Sequence, residues 1–132
     1  MKTNFILLLL VVSTLVTSCQ KDTSLDKNGR VKVTILYPNS DGKTFDMDYY
    51  ATKHMPMVAD LMGEALKGLH IDTGISGRTP NDPIPYLAIG YLYFDSLEAY
   101  QEAFAPVAEK IVTDIPNYTN TQPVIQISEI VQ

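Results

Sequence analysis

The chain has 132 residues, room for one domain and not comfortably for two. Its 10 Lys and Arg stand against 15 Asp and Glu, a formal net charge of −5, and an acidic chain without a basic patch has no electrostatic footprint for nucleic acid. A single cysteine excludes an internal disulfide.

The first segment reads as a secretory leader. Lys2 supplies a short positive start, Phe5 to Val12 is an unbroken apolar run, and small and β-branched residues lead to Ser18-Cys19. The run falls short of the roughly 20 apolar residues that a membrane-spanning helix needs. Val16-Thr17-Ser18-Cys19 resembles a bacterial lipobox, which implies that Cys19 is lipidated and begins the mature protein; the alternative is ordinary cleavage nearby with Cys19 left as a free thiol. Loss of Lys2 leaves the mature chain more acidic, so attachment to an anionic membrane falls to the acyl chains. Gln20, where an aspartate would resemble an inner-membrane retention signal, leans the expectation towards the outer membrane. The expected organisation is a leader over 1–18, a lipidated cysteine with a flexible tether over 19–30, and one domain over 31–132, held at the cell envelope.

Val31, Val33, Ile35 and Tyr37 alternate with Lys32, Thr34 and Leu36, a period of two that ends at Pro38 and predicts a strand. After the turn residues Asn39-Ser40-Asp41-Gly42 the period changes. Met47, Tyr50, Ala51, His54, Val58, Leu61 and Met62 share one helical face, Asp46 and Asp48 complement the dipole in the first turn, and Gly63 is the expected stop. Pro56 lies inside that helix and predicts a kink. Leu69, Ile71 and Ile75 predict a second strand, Arg78 to Pro85 a proline-rich loop, and Tyr86 to Phe94 a third strand. Asp95 or Ser96 caps a second helix with Leu97, Tyr100, Ala103, Phe104, Val107, Ala108 and Ile111 inside. Ile115 to Pro123 is an ordered loop, and Val124 to Val131 the last strand.

The order strand, helix, strand, strand, helix, strand predicts a ferredoxin-like α+β domain, βαββαβ, with a four-stranded antiparallel sheet and both helices on one face. The third strand is apolar on both sides: Leu87, Ile89, Tyr91 and Tyr93 point one way, Ala88, Leu92 and Phe94 the other. Left uncovered, the side away from the helices is a large apolar patch, and a second copy packed against it as a homodimer is the simplest cover. Leu36, Ile125 and Ile127 also need burial. The other reading is that the strand is central and shows few apolar atoms.

Two histidines are candidates for chemistry. His54, on the apolar helix face one turn after Tyr50, is either a core histidine bonded to a carbonyl or an acid/base lining a pocket, kept neutral by partial burial. His70 lies on the second strand out of phase with Leu69 and Ile71 and is the weaker candidate. Tyr50 joins His54 as a catalytic candidate. Tyr37, Tyr118, Tyr91 and Asp72 are the ligand-binding candidates, for a small apolar or aromatic molecule, although aromatic residues at strand spacing are usually core. Two isolated histidines do not make a zinc site, no Gly-x-Ser-x-Gly elbow is present, and Gly68 to Gly77 lacks the lysine and helix start of a phosphate loop. Glu98 and Glu102 read as the wet face of a helix.

Three segments of the first half carry a family resemblance: Val31 to Pro38, Phe45-Asp46 to Tyr49-Tyr50, and Lys53-His54-Met55-Pro56. In the second half Tyr93-Phe94-Asp95-Ser96, Ala103-Phe104, Asp114-Ile115-Pro116-Asn117-Tyr118-Thr119 and Gln122-Pro123 agree with it. Together they resemble the EthD family over almost all of Val31 to Val131. The resemblance implies a dimeric α/β barrel. It also implies a link to ethyl tert-butyl ether degradation and an oxidoreductase-like role; small monooxygenases, lactone isomerases and haem-handling proteins share the fold. Many such proteins use a pocket between sheet and helices with no bound cofactor, and none is expected here. Its His-x-Pro element falls on His54 and Pro56. The leader is a departure, since typical members are cytoplasmic. An enzyme acting on a small apolar or aromatic compound is therefore the leading expectation, and a lipoprotein that sequesters such a compound or haem is the alternative.

Overall fold

The alternation over Val31–Pro38 becomes β1, the strand around which the molecule is organised. It pairs antiparallel with β3 (Tyr86–Phe94) on one side and β4 (Val124–Glu129) on the other, and β2 (Gly68–Thr73) completes the sheet on the far side of β3, in the order β2-β3-β1-β4. This computed structural model describes residues 24–132; the leader and Cys19, with the anchor expected there, lie outside the described residues. No helix among the described residues is long and apolar enough to cross a membrane.

The registers sort the side chains. Val33 opposite Leu92, Ile35 opposite Gly90 and Tyr37 opposite Ala88 put these residues on the side covered by helices. Leu36 opposite Ile89, and Thr34 opposite Tyr91, put the others on the open side. Ile125 and Ile127, expected to need a partner molecule, pair with Ile35 and Val33 and so lie on the helix side. The core sits there, with Tyr37, Tyr50, Met55, Val58, Leu92 and Phe94 fully or almost fully buried. The sheet and its one-sided helices are those of a ferredoxin-like α+β domain.

The first helix departs from a kinked rod. It runs as α1 (Met47–Tyr49), a π-helical turn (Tyr50–His54), α2 (Met55–Met62) and a short 3-10 turn (Gly63–Ala65). Asp46 is the cap rather than a first-turn residue, its carboxylate accepting from the Tyr49 amide at 2.9 Å. The distortion falls one turn before Pro56. In the π turn the Met55 amide donates to the Tyr50 carbonyl, five residues back, so the helix widens where the proline ring would crowd it. Pro56 then stands in the first turn of α2, where a missing N–H costs nothing. Gly63, at φ 56°, ends the helix as expected.

The second helix is not continuous either. Ser96 caps α3 (Leu97–Phe104) by accepting from the Ala99 amide at 3.1 Å. The chain then turns at Ala105 to Val107 and restarts as α4 (Ala108–Asp114). Pro106 breaks it, because its ring and its lack of an N–H forbid a helix interior.

The stretch read as a tether is held to the domain from Ser24 onward. Leu25 lies over Gly68, where a Cβ would collide with it. The Gly29 amide donates to the Ile130 carbonyl at 2.7 Å, and the Ile130 amide returns a bond to the Arg30 carbonyl at 2.8 Å.

Candidate active site

The wide turn Tyr50–His54 faces its first and last side chains towards β1 and the loop after α4, and leaves Ala51, Thr52 and Lys53 exposed. Both Tyr50 and His54 are buried, and their rings stack at 5.5 Å with 17° between planes. Tyr37 from β1, Phe45, and Tyr118 from the loop close around them at centroid distances of 4.6 to 5.4 Å. That loop is stapled to the one before α1. The Asp46 amide donates to the Tyr118 carbonyl at 2.7 Å, Phe45 bridges Thr119, and the Thr119 hydroxyl donates to the Thr44 carbonyl at 2.7 Å. Tyr118 is therefore fixed by backbone, not only by packing.

Inside this cluster runs a row of polar atoms. The Tyr37 and Tyr118 hydroxyls are 2.7 Å apart, the Tyr118 hydroxyl is 3.3 Å from His54 Nε2, and His54 Nδ1 is 2.8 Å from Asp114 Oδ2. Asp114 ends α4, where the helix dipole disfavours a carboxylate, and three donors compensate. Besides His54, the Tyr49 hydroxyl donates to Oδ1 at 2.9 Å and the Asn117 amide at 2.8 Å. Burial by itself would raise the Asp114 carboxyl, but bonds from His54, Asn117 and Tyr49 outweigh it and hold it below the ordinary carboxylate value. Burial pushes the His54 imidazole below its usual value, with Asp114 opposing. At neutral pH the pair is thus a carboxylate and a neutral imidazole. The carboxylate has no proton to give, so Nδ1–H donates to Asp114 and Nε2 keeps its lone pair. Burial raises the Tyr37, Tyr50 and Tyr118 hydroxyls far above their normal value, so all three stay neutral.

A cavity of about 320 Å³ lies between the sheet and the helices, at the small end of ligand sites. Val33, Ile35, Val58, Met62, Leu92 and Ile111 line most of it, and the polar side chains among its lining are Tyr37, His54, Tyr100 and Gln122. Its rim includes Val112, Gln122 and Ile125, which are exposed. An apolar hollow with a few convergent polar groups is the form that small-molecule sites take.

Of the candidates named from sequence, His54 and Tyr37 reach the cavity together, and Tyr118 stands behind them in the polar row. Tyr50 contributes its ring; its hydroxyl lies against Gly90, where a Cβ would collide with it, and faces the Tyr37 hydroxyl without a hydrogen bond of good geometry. Tyr91 and Asp72 are elsewhere. They sit on the open side of the sheet, where burial and then the Asp72 carboxylate push the Tyr91 hydroxyl up. His70 is exposed on the same side, its ring 5.7 Å from Tyr93. Sequence reasoning gave no role to Asp114, Tyr49, Asn117 or Gly90. A carboxylate at the last position of a helix, out of favour with the dipole, was the available signal for Asp114. No group of three or more His, Cys, Asp or Glu that could hold a metal occurs among the described residues.

Fold and site together define a ferredoxin-like α+β protein with an apolar cavity whose wall includes a buried histidine backed by a part-buried carboxylate. The EthD domain family matches residues 42–122, and the chain belongs to that family. An EthD-like protein from Ralstonia eutropha is 36% identical, with a TM-score of 0.76 over 80% of this chain and 96% of that one. An EthD family protein from Bacillus halodurans shares the fold at 19% identity and a TM-score of 0.58, over 76% of this chain and 97% of that one. So does a dimeric ferredoxin-like protein of unknown function from Thermobifida fusca, at 10% identity and a TM-score of 0.52, over 78% and 92%. No functionally curated protein matches the chain.

Proposed function

We propose that the cavity binds a small apolar or aromatic compound and that His54 acts on it as a general acid/base, in an oxidoreductase-like or isomerase-like reaction that needs no bound cofactor. The observation that carries this is a neutral imidazole in the wall of an apolar hollow, held from behind by a carboxylate. Asp114 orients the ring and would stabilise the imidazolium formed when His54 takes a proton. Because Tyr118 stands at Nε2, His54 exchanges its proton with the ligand through Tyr118 and Tyr37, and the same occupancy leaves neither ring nitrogen for iron, so haem sequestration has less support. We further place the protein at the cell envelope as a lipid-anchored homodimer. The leader and Cys19 support the anchor. The open side of the sheet, with Leu36, Ile89, Tyr91 and Val124, supports the dimer, as does the dimeric state of the similarly folded Thermobifida fusca protein.

Small apolar and aromatic compounds, screened by thermal shift and by mass-detected conversion, test the reading. At least one compound is expected to raise Tm and be converted, and His54→Gln is expected to keep the shift and lose the conversion. A panel without any shift would remove the cavity as a ligand site. Shift without conversion would leave a binding protein, and conversion surviving in His54→Gln would take the acid/base role from His54.

A further inference from the structure

The Asp114 carboxylate offers only lone pairs. Oδ1 is taken by the Tyr49 hydroxyl and the Asn117 amide, and Oδ2 faces His54 Nδ1. The proton on Nδ1 leaves Nε2 as an acceptor, and the hydroxyl facing it belongs to Tyr118. A phenolic hydroxyl has one proton. Once Tyr118 points its proton at Nε2, its oxygen must accept from Tyr37, 2.7 Å away. Tyr37 has then used its own proton as well; of the lone pairs left on its oxygen, one faces the buried Tyr50 hydroxyl and the other is left for the cavity that Tyr37 lines.

Given that the cavity is the ligand site, we infer that the bonds run one way, Tyr37 to Tyr118 to His54 to Asp114, and that the cavity takes a ligand that donates a hydrogen bond to Tyr37 Oη. The class is a phenol, alcohol or enol with an otherwise apolar body, in preference to an ether or ketone of the same shape. Such a ligand is also placed to lose its proton. If each proton moves one place along the row, the ligand O–H bond breaks, an N–H bond forms at His54 Nε2, and both hydroxyls between are restored. The products are a ligand oxyanion and an imidazolium paired with Asp114, so charge balances and no oxidant is needed. Tyr37 is the group in contact, and Asp114 is a positioning residue that sets the direction.

The isomers para-ethylphenol and para-methylanisole differ in donor capacity and hardly in size, and calorimetry on the full chain compares them. The wild type is expected to prefer the phenol by about tenfold, one hydrogen bond that the ether cannot make. Nitrogen NMR is expected to show His54 protonated on Nδ1. In Asp114→Asn, Tyr49 and Asn117 keep Oδ1 and the new amide nitrogen faces His54 Nδ1. The ring proton is then forced to Nε2, the row reverses, and the preference falls to parity or favours the ether, much as an analogous change in a serine-protease triad installs the wrong tautomer. Equal binding of the isomers to the wild type, or a proton on Nε2, would overturn the inference. If neither isomer binds, the cavity reading fails, and the nitrogen signals still decide the direction of the row.

Discussion

Gly90 and Tyr50 meet at the centre of the sheet, and neither explains itself in the sequence. A glycine in the middle of an apolar strand gives up side-chain packing and backbone entropy. The structure shows what it makes room for: the Tyr50 hydroxyl, fully buried and against its Cα. Gly90→Ala is expected to cost about 1–3 kcal/mol in urea unfolding through overpacking. In a Tyr50→Phe background the penalty should shrink, because the colliding oxygen is gone, and a double-mutant cycle measures the coupling. An unchanged penalty would place the strain elsewhere. His54 was legible as a candidate because it shares a helical face with Tyr50 and sits beside a proline. Asp114 was not, because its partner lies 60 residues away in sequence and only the folded loop after α4 brings them together.

Periodicity made every strand and both helical regions visible, and their order was enough for the topology. What it did not show were the interruptions. The pattern of apolar positions runs smoothly through Pro106, yet the helix stops there and restarts as α4, since hydrophobic spacing carries no information about a missing N–H. At Pro56 the proline announced a distortion, but the chain absorbs it upstream in a π turn, a form found frequently at functional sites. The widened turn stacks Tyr50 on His54 and holds the imidazole against Asp114. The same device accommodates the proline and positions the imidazole.

Seen whole, the molecule has two faces with different work. The helix side encloses the cavity and the polar row, and the open side carries Leu36, Ile89, Tyr91 and Val124 among polar neighbours. A stable interface buries at least about 1,000 Å², and Ile89 lies on the central pair of strands within that face. Wild-type protein is expected to sediment as two chains and Ile89→Lys as one, since a buried unpaired ammonium is costly. A wild type that sediments as a single chain would dispose of the dimer. The anchor is tested apart from the fold. Cys19→Ala is expected to move the protein from the membrane fraction to the soluble one, and its retention in the membrane fraction would refute lipid attachment at that residue.

The π turn also makes the site depend on a residue count. Each residue in an α-helix advances about 100° around the axis, so a deletion between Asp46 and Pro56 could restore regular winding and leave the sheet intact while rotating the imidazole away from its carboxylate. Among proteins of this shape, the length of that one segment would separate those able to hold such an imidazole against its carboxylate from those that merely share the scaffold.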